Sequence, residues 1–130
     1  MKFMNGEHER FYKNTIVRCR TVDCNQRAFV YIIGLTENCR NSVDGLYDFE
    51  KNALPDVFPD MEPFGETDRK VIRLAYNLFD GSMPTVPSPD NGCDCAQMLA
   101  EASKYSISSI FNCISLVDYF IEAVKIRYEF

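Results

Sequence analysis

Apolar residues between positions 67 and 81 recur with the spacing of an amphipathic helix. They occupy positions i, i+3, i+4 and i+7 of one stripe at Val71, Leu74, Ala75 and Leu78. Thr67 can cap the free amides at the start of this helix, and Gly81 can adopt the left-handed conformation that ends it. The segment therefore predicts a helix with one side buried in a core.

The first 34 residues predict two further helices. Asn5 is a capping residue before a segment that runs to about residue 20, and the inward face of that segment carries His8, Phe11, Tyr12, Thr15, Ile16 and Cys19. Asp23 with Gln26 resembles a capping box, which opens a second segment that ends near Gly34. Its apolar run, residues 28–33, is compatible with a buried strand as well as a helix, but the cap and the glycine favour the helix.

Short segments and breaks follow. Thr36 can cap a brief helix that ends at Asp44 and Gly45. Residues 46–65 and 82–92 each contain three prolines, so long regular structure is not expected in either segment, although a helical turn over residues 47–52 is compatible with the sequence. We predict two proline-broken loops at these places.

The last third of the chain predicts helices again. Asp94 with Gln97 offers a capping box into a helix over residues 95–103, and a small helical segment begins near residue 106. Ser115 and Asp118 open a C-terminal helix that is apolar around much of its circumference, which indicates burial on two sides.

Together these segments predict an all-α fold, a compact bundle of five or six helices in a single domain spanning residues 1–130. We expect the helix that begins at Thr67 and the C-terminal helix to lie in the centre. A chain of 130 residues is long enough to bury a sizeable core without disulfides or metals, and its 17 aromatic residues (Phe 10, Tyr 7) can fill that core.

Charge and targeting signals narrow the functional classes. The net charge of −5 argues against binding nucleic acid through its phosphates, which requires clustered basic residues. The N-terminus lacks the apolar region of a signal peptide, and no run is long enough to span a membrane, so we expect a cytoplasmic protein. Its six cysteines, at positions 19, 24, 39, 93, 95 and 113, are then expected to remain reduced.

Four stretches carry a resemblance to a known family. They are residues 5–12 (NGEHERFY), 43–49 (VDGLYDF), 71–81 (VIRLAYNLFDG) and 122–130 (EAVKIRYEF). The chain resembles an uncharacterised family of small bacterial proteins of Gram-positive anaerobes, a domain of unknown function whose members are often encoded near mobile elements. The resemblance implies no activity and no functional residue, and Cys93 and Cys95 are not part of it.

His8 is the only histidine, so any imidazole-dependent catalysis must use it. Glu7 and Glu9 flank it, and a carboxylate beside a histidine can orient it as a base. The alternative is that His8 packs in the core and has no catalytic part. We name His8, Glu7 and Glu9 as candidate catalytic residues and expect them to be structural.

Cysteines provide the candidate metal ligands. The pairs Cys93 with Cys95 and Cys19 with Cys24 could supply four thiolates to zinc, but their spacings differ from those of structural zinc sites. Small buried thiols are the alternative interpretation. We therefore expect no metal and no other cofactor.

Other charged segments suggest solvated surface. The acidic residues between 48 and 68 lack the ligand spacing of a calcium loop. Arg69, Lys70 and Arg73 form a basic stripe that we expect on the outside of the Thr67 helix. The HExxH, GxGxxG and GxSxG motifs and the phosphate-binding P-loop motif are absent from the sequence.

These observations predict a small interaction or regulatory protein that binds another protein or itself through an exposed apolar or acidic surface. The family resemblance adds the expectation of a mobile-element accessory. The competing hypothesis is a small enzyme or metal protein centred on His8 with nearby carboxylates or cysteines.

Overall fold

The computed structural model describes residues 1–57, 59–81 and 115–128. These residues form six helices: α1 (Gly6–Ile16), α2 (Cys24–Ile33), α3 (Glu37–Asn41), α4 (Val43–Leu46), α5 (Glu66–Asp80) and α6 (Val117–Tyr128). The described residues contain no strand beyond one isolated bridge between Asp48 and Ala53. The expected all-α fold is therefore confirmed, whereas the predicted 82–92 loop and the helices from 95 and 106 lie outside the described residues. The expected single domain stays a prediction for the same reason.

Helix α2 occupies the centre of the described structure. It packs against α1, α5 and α6. Every residue from Ala28 to Ile33 is at most 1% exposed, so the apolar run that was compatible with a strand is a helix buried on all sides. The structure places α2, rather than α5 and α6, at the centre, because α2 offers apolar side chains in every direction and packs against both of these helices and α1.

Side-chain caps begin the first three helices as the sequence predicts. Asn5 Oδ1 accepts a hydrogen bond from the His8 amide at 2.9 Å. Asp23 and Gln26 form a complete capping box at α2, and Thr36 Oγ1 accepts from the Cys39 amide at 3.3 Å at α3. These bonds satisfy amides that the helices themselves leave unpaired.

Two helix ends differ from the prediction. Helix α1 ends at Ile16 rather than near residue 20, because the Arg18 and Cys19 amides bond three residues back, to Thr15 and Ile16, in tight turns. Asp44 and Gly45 do not end the short helix after Thr36, since they lie inside α4.

The 46–53 segment makes a turn instead of the helical turn that the sequence allowed. Asp48 Oδ1 accepts hydrogen bonds from the amides of Glu50 and Lys51, both at 3.1 Å. Such side-chain bonds compete with helical ones. Asn52 has a positive φ of 55°, and its Oδ1 accepts a 2.9 Å hydrogen bond from the Tyr47 hydroxyl, so the turn closes back on itself.

Helix α5 matches its predicted extent to within two residues. It begins at Glu66 with Gly65 as the cap, so Thr67 lies inside the first turn instead of capping it. Gly81 ends the helix with φ 85°, in the left-handed conformation that the sequence predicts. Arg73 is only 5% exposed. The prediction that the basic stripe lies on the outside of this helix is therefore wrong for Arg73.

The C-terminal end of α5 is joined to two other helices by side-chain donors. Asn25 Nδ2, on α2, donates to the Phe79 carbonyl at 2.7 Å, and Arg127 Nε, on α6, donates to the Leu78 carbonyl at 2.6 Å. The last carbonyls of a helix have no partner within it, and these donors supply one. Helix α6 buries Phe120 and Ala123 but leaves Ile121 45% exposed, so it is less enclosed than its sequence suggests.

Helices α1 and α2 are connected through a close contact at Gly34. A Cβ atom added at Gly34 would lie 2.7 Å from His8 Cδ2 and 2.9 Å from Phe11 Cδ1, and both distances are too short. The backbone of Gly34 has an ordinary φ of −71°, so glycine is needed there for space and not for conformation. The α1 rings therefore rest directly on the end of α2.

We expect Gly34→Ala to lower the free energy of unfolding by about 1 to 3 kcal/mol, because the added methyl group overpacks the contact with His8 and Phe11. The matched control is Gly45→Ala in α4, where a Cβ would meet nothing within 4 Å. There alanine should be neutral or stabilising by up to about 1 kcal/mol. Urea denaturation of both variants measures the difference. Equal effects at the two positions would contradict the proposed steric constraint.

Candidate functional site

The His8 imidazole is completely buried, and both of its nitrogens are hydrogen-bonded to backbone. Nδ1 accepts from the Met4 amide at 3.1 Å. Nε2 lies 2.7 Å from the Tyr31 carbonyl, which can only accept. This network assigns a neutral ring that carries its proton on Nε2. No ring nitrogen is left to take a proton from a substrate or to bind a metal unless one of these bonds breaks.

Aromatic rings enclose the imidazole. The ring centroids of Tyr31 and Phe3 lie 4.7 Å and 5.3 Å from that of His8, and the Tyr119 ring of α6 lies 6.5 Å away. Burial lowers the pKa of His8 below its ordinary value of 6.5; the hydrogen bond to Tyr31 opposes this shift, and the nearby Arg40 charge adds to it. The surroundings thus favour the neutral ring that the hydrogen bonds require.

The two candidate carboxylates point away from His8. Glu7 Oε2 accepts a hydrogen bond from Arg40 Nη2 at 3.2 Å, and Glu9 pairs with Lys13, four residues along the same helix, at 3.1 Å. The structure therefore brings neither carboxylate to the imidazole, and the three candidate catalytic residues do not form one site.

The three described thiols have different surroundings. Cys19 and Cys39 are buried, and burial raises both pKa values, that of Cys39 to about 12. Cys24 is partly accessible and accepts a 3.4 Å hydrogen bond from Arg127 Nη1. The other candidate ligands, Cys93 and Cys95, lie outside the described residues. Within the described part of the chain, no three residues among His, Cys, Asp and Glu are arranged to hold a metal ion.

One surface groove lies between α1 and α3, and we call it the α1–α3 groove. It encloses about 330 Å³ and is lined by Glu7, Arg10, Phe11, Asn14, Glu37, Arg40 and Asn41. Most of these side chains are polar, and Phe11 provides an apolar part of the lining. The residues from α1 occupy positions i, i+3, i+4 and i+7, a periodic signal that the sequence contains but that a search for apolar stripes passes over.

A second groove lies where the loop after α1 meets the segment after α4. It encloses about 230 Å³ and is lined by Arg18, Asp44, Tyr47, Asp48, Phe49 and Pro55. The Arg18 guanidinium lies 3.9 Å from the centre of the Phe49 ring and pairs with Asp44. We use the name loop face for these six residues together with Val17, which precedes Arg18, and Val57, which lies two residues after Pro55. The two valines are 77% and 81% exposed.

Comparison with known proteins identifies the chain without assigning it a function. The family model that matches residues 1–130 describes a family of unknown function, DUF6075. The comparisons with curated proteins and with solved structures gave no match. No helix in the described residues is long and apolar enough to span a membrane.

The buried imidazole should make stability depend on pH. Because the pKa of His8 is lowered in the folded chain, the unfolded chain takes up a proton first as the pH falls. The free energy of unfolding should therefore decrease below about pH 6.5, by at most about 1.4 kcal/mol per pH unit, and level off below the folded pKa. Urea titrations from about pH 7.5 to about pH 5.5 measure this slope.

His8→Gln is the control for this prediction, since glutamine can donate to the Tyr31 carbonyl but does not ionise in this range. The chain has no other histidine, so the variant should lose most of the slope. An equal slope in the variant and the unaltered chain would show that His8 is not its source.

The thiols should also differ in reactivity. At about pH 8, a thiol with a pKa of about 12 is ionised in only about one molecule in 10,000, so alkylation of Cys39 should be far slower than that of the accessible Cys24. Timed alkylation of the folded chain followed by peptide mass spectrometry measures both rates. In urea the two should react at similar rates, and comparable rates in the folded chain would disprove the difference in environment.

Proposed function

From the premise that the chain belongs to the DUF6075 family, which is of unknown function, we propose that it is an interaction protein that binds another protein through the loop face. The partner presents apolar and basic side chains. The observation that carries this proposal is a groove lined by two aspartates, with two strongly exposed valines one and two residues away from its lining along the chain.

The loop face is held in shape by interactions between its two segments. Arg18 stacks on Phe49 and pairs with Asp44, and Asn52 Nδ2 donates to Thr21 Oγ1 at 2.9 Å. A surface that is ordered before binding loses less conformational entropy when a partner docks. These contacts favour recognition by a preformed surface.

The exposed apolar side chains and the acidic charge of the loop face indicate which kind of partner can bind there. Exposed apolar side chains gain free energy when a partner covers them. Asp48 accepts hydrogen bonds from backbone amides but forms no ion pair in the described residues, and the Asp44 side chain is 73% exposed although it pairs with Arg18. With a net charge of −5, the chain as a whole also attracts a basic partner.

The state of His8 supports a binding role over the competing enzyme hypothesis. The only imidazole of the chain uses both nitrogens in bonds that connect α1, α2 and the N-terminal segment. A general base must reach the proton that it abstracts, and this ring is fully enclosed. We therefore assign His8 a packing role.

We also propose a cytoplasmic location. The free thiols of Cys19, Cys24 and Cys39 support this proposal, since free thiols are usual in reducing compartments. A role as a mobile-element accessory is part of the proposal and rests on the family resemblance alone.

The test is affinity capture from the native host, with the unaltered chain compared with the Val17→Asp/Val57→Asp variant. We expect one enriched protein whose recovery falls at least about tenfold with the variant, because the two new charges would be desolvated on docking. Recovery should also fall with increasing salt if basic side chains of the partner contribute.

Two controls keep this result specific. Ile121→Asp replaces an exposed apolar residue on α6, outside the loop face, and should leave recovery unchanged. His8→Gln should also leave it unchanged if the variant remains folded by circular dichroism. Recovery that is equal for all variants would disprove the loop face, and recovery of a second copy of the chain would identify self-association instead.

A further inference from the structure

The α1–α3 groove has a lining that is unusual for facing helices. Two helices normally meet through interdigitating apolar side chains. Here α1 contributes Glu7, Arg10, Phe11 and Asn14, and α3 contributes Glu37, Arg40 and Asn41. The polar residues therefore stand on adjacent helical turns of both walls, and they leave an open channel where a packed interface would otherwise form.

One part of the groove is rigid. Arg40 Nη1 donates to the Gly34 carbonyl at 2.8 Å, and Nη2 donates to Glu7 at 3.2 Å. The Arg40 side chain is only 14% exposed, so it forms part of the groove structure. These bonds attach α3 to the end of α2 and to α1, and they hold the two walls at a defined separation.

The remaining polar side chains of the groove are available to a ligand. Arg10, Asn14, Glu37 and Asn41 are exposed and form no side-chain hydrogen bond or ion pair within the described part of the chain. Each wall thus carries one carboxamide with two donors and an acceptor, and one charged group of opposite sign to that on the other wall.

This combination indicates the chemistry of the ligand. The two arginines and two glutamates cancel in charge, so the groove favours neither a polyanion such as nucleic acid nor a polycation. A carboxamide matches the N–H and C=O groups of a peptide unit, and Phe11 can contact an apolar side chain. A ligand that carries amides, an apolar side chain and charges of both signs is a polypeptide.

We propose that the α1–α3 groove binds an extended peptide segment of another protein, with its backbone amides on Asn14 and Asn41, an acidic side chain at Arg10 and a basic one at Glu37. This site is separate from the loop face and does not depend on it.

The test uses a random twelve-residue peptide library displayed on phage, selected against the full chain. Enriched peptides are synthesised, and their dissociation constants are measured by fluorescence anisotropy. We expect Asn14→Ala/Asn41→Ala to weaken binding about tenfold or more, since two hydrogen bonds to the peptide are lost. Both residues are exposed, so the variant should fold normally.

Charge reversal tests the orientation of the peptide. A selection against Arg10→Glu should replace an acidic residue at one peptide position with a basic residue, because the charge at that wall is inverted. Lys13→Glu is the matched control: Lys13 lies on the same helix but outside the groove, so this variant should enrich the original peptides.

Three outcomes would overturn the proposal: no peptide is enriched, enriched peptides bind Asn14→Ala/Asn41→Ala as tightly as the unaltered chain, or Arg10→Glu selects the same sequences. Peptides that lose affinity only for Val17→Asp/Val57→Asp would bind the loop face, which would support that surface and contradict this one.

Discussion

The burial of residues 28–33 of α2 is the constraint on which the rest of the structure depends. These six residues have almost no exposed area, so every neighbouring helix must present apolar surface to them. Each fully buried aliphatic or aromatic side chain contributes about 1.5 to 3 kcal/mol from the hydrophobic effect. The polar ends of the helix are satisfied by a capping box at its start and, at its end, by Arg40, which bonds to the Gly34 carbonyl.

His8 shows how a residue that is often catalytic can instead be part of this packing. Its ring fits where Gly34 leaves space, donates to the Tyr31 carbonyl of α2 and accepts from Met4. A buried polar ring is tolerated only when its nitrogens are paired, and that pairing removes the groups on which chemistry would depend. Burial also lowers the pKa of the ring, so the free energy of unfolding should depend on pH.

We propose that function lies at the surface, because His8, the candidate catalytic residue of the described interior, is engaged in packing. The loop face combines exposed valines and aspartates, and the α1–α3 groove combines amides with balanced charge. These two surfaces differ in chemistry, and they therefore suit different partner segments. Arg40 connects the α1–α3 groove to the core, because it fixes the groove walls through the carbonyl of the same Gly34 that contacts His8.

The sequence by itself determined the all-α class, the start of α1, α2 and α3, and the left-handed end of α5 at Gly81, because caps and helical periodicity are local signals. It did not reveal that α2 would be central, that Arg73 would be buried, or that Glu7 would bond to Arg40, 33 residues away, instead of orienting His8. Both grooves also needed the fold, since their walls come from segments distant along the chain. Only the tertiary structure decided these features. The packing of all the helices determines which apolar faces meet and which polar groups find partners.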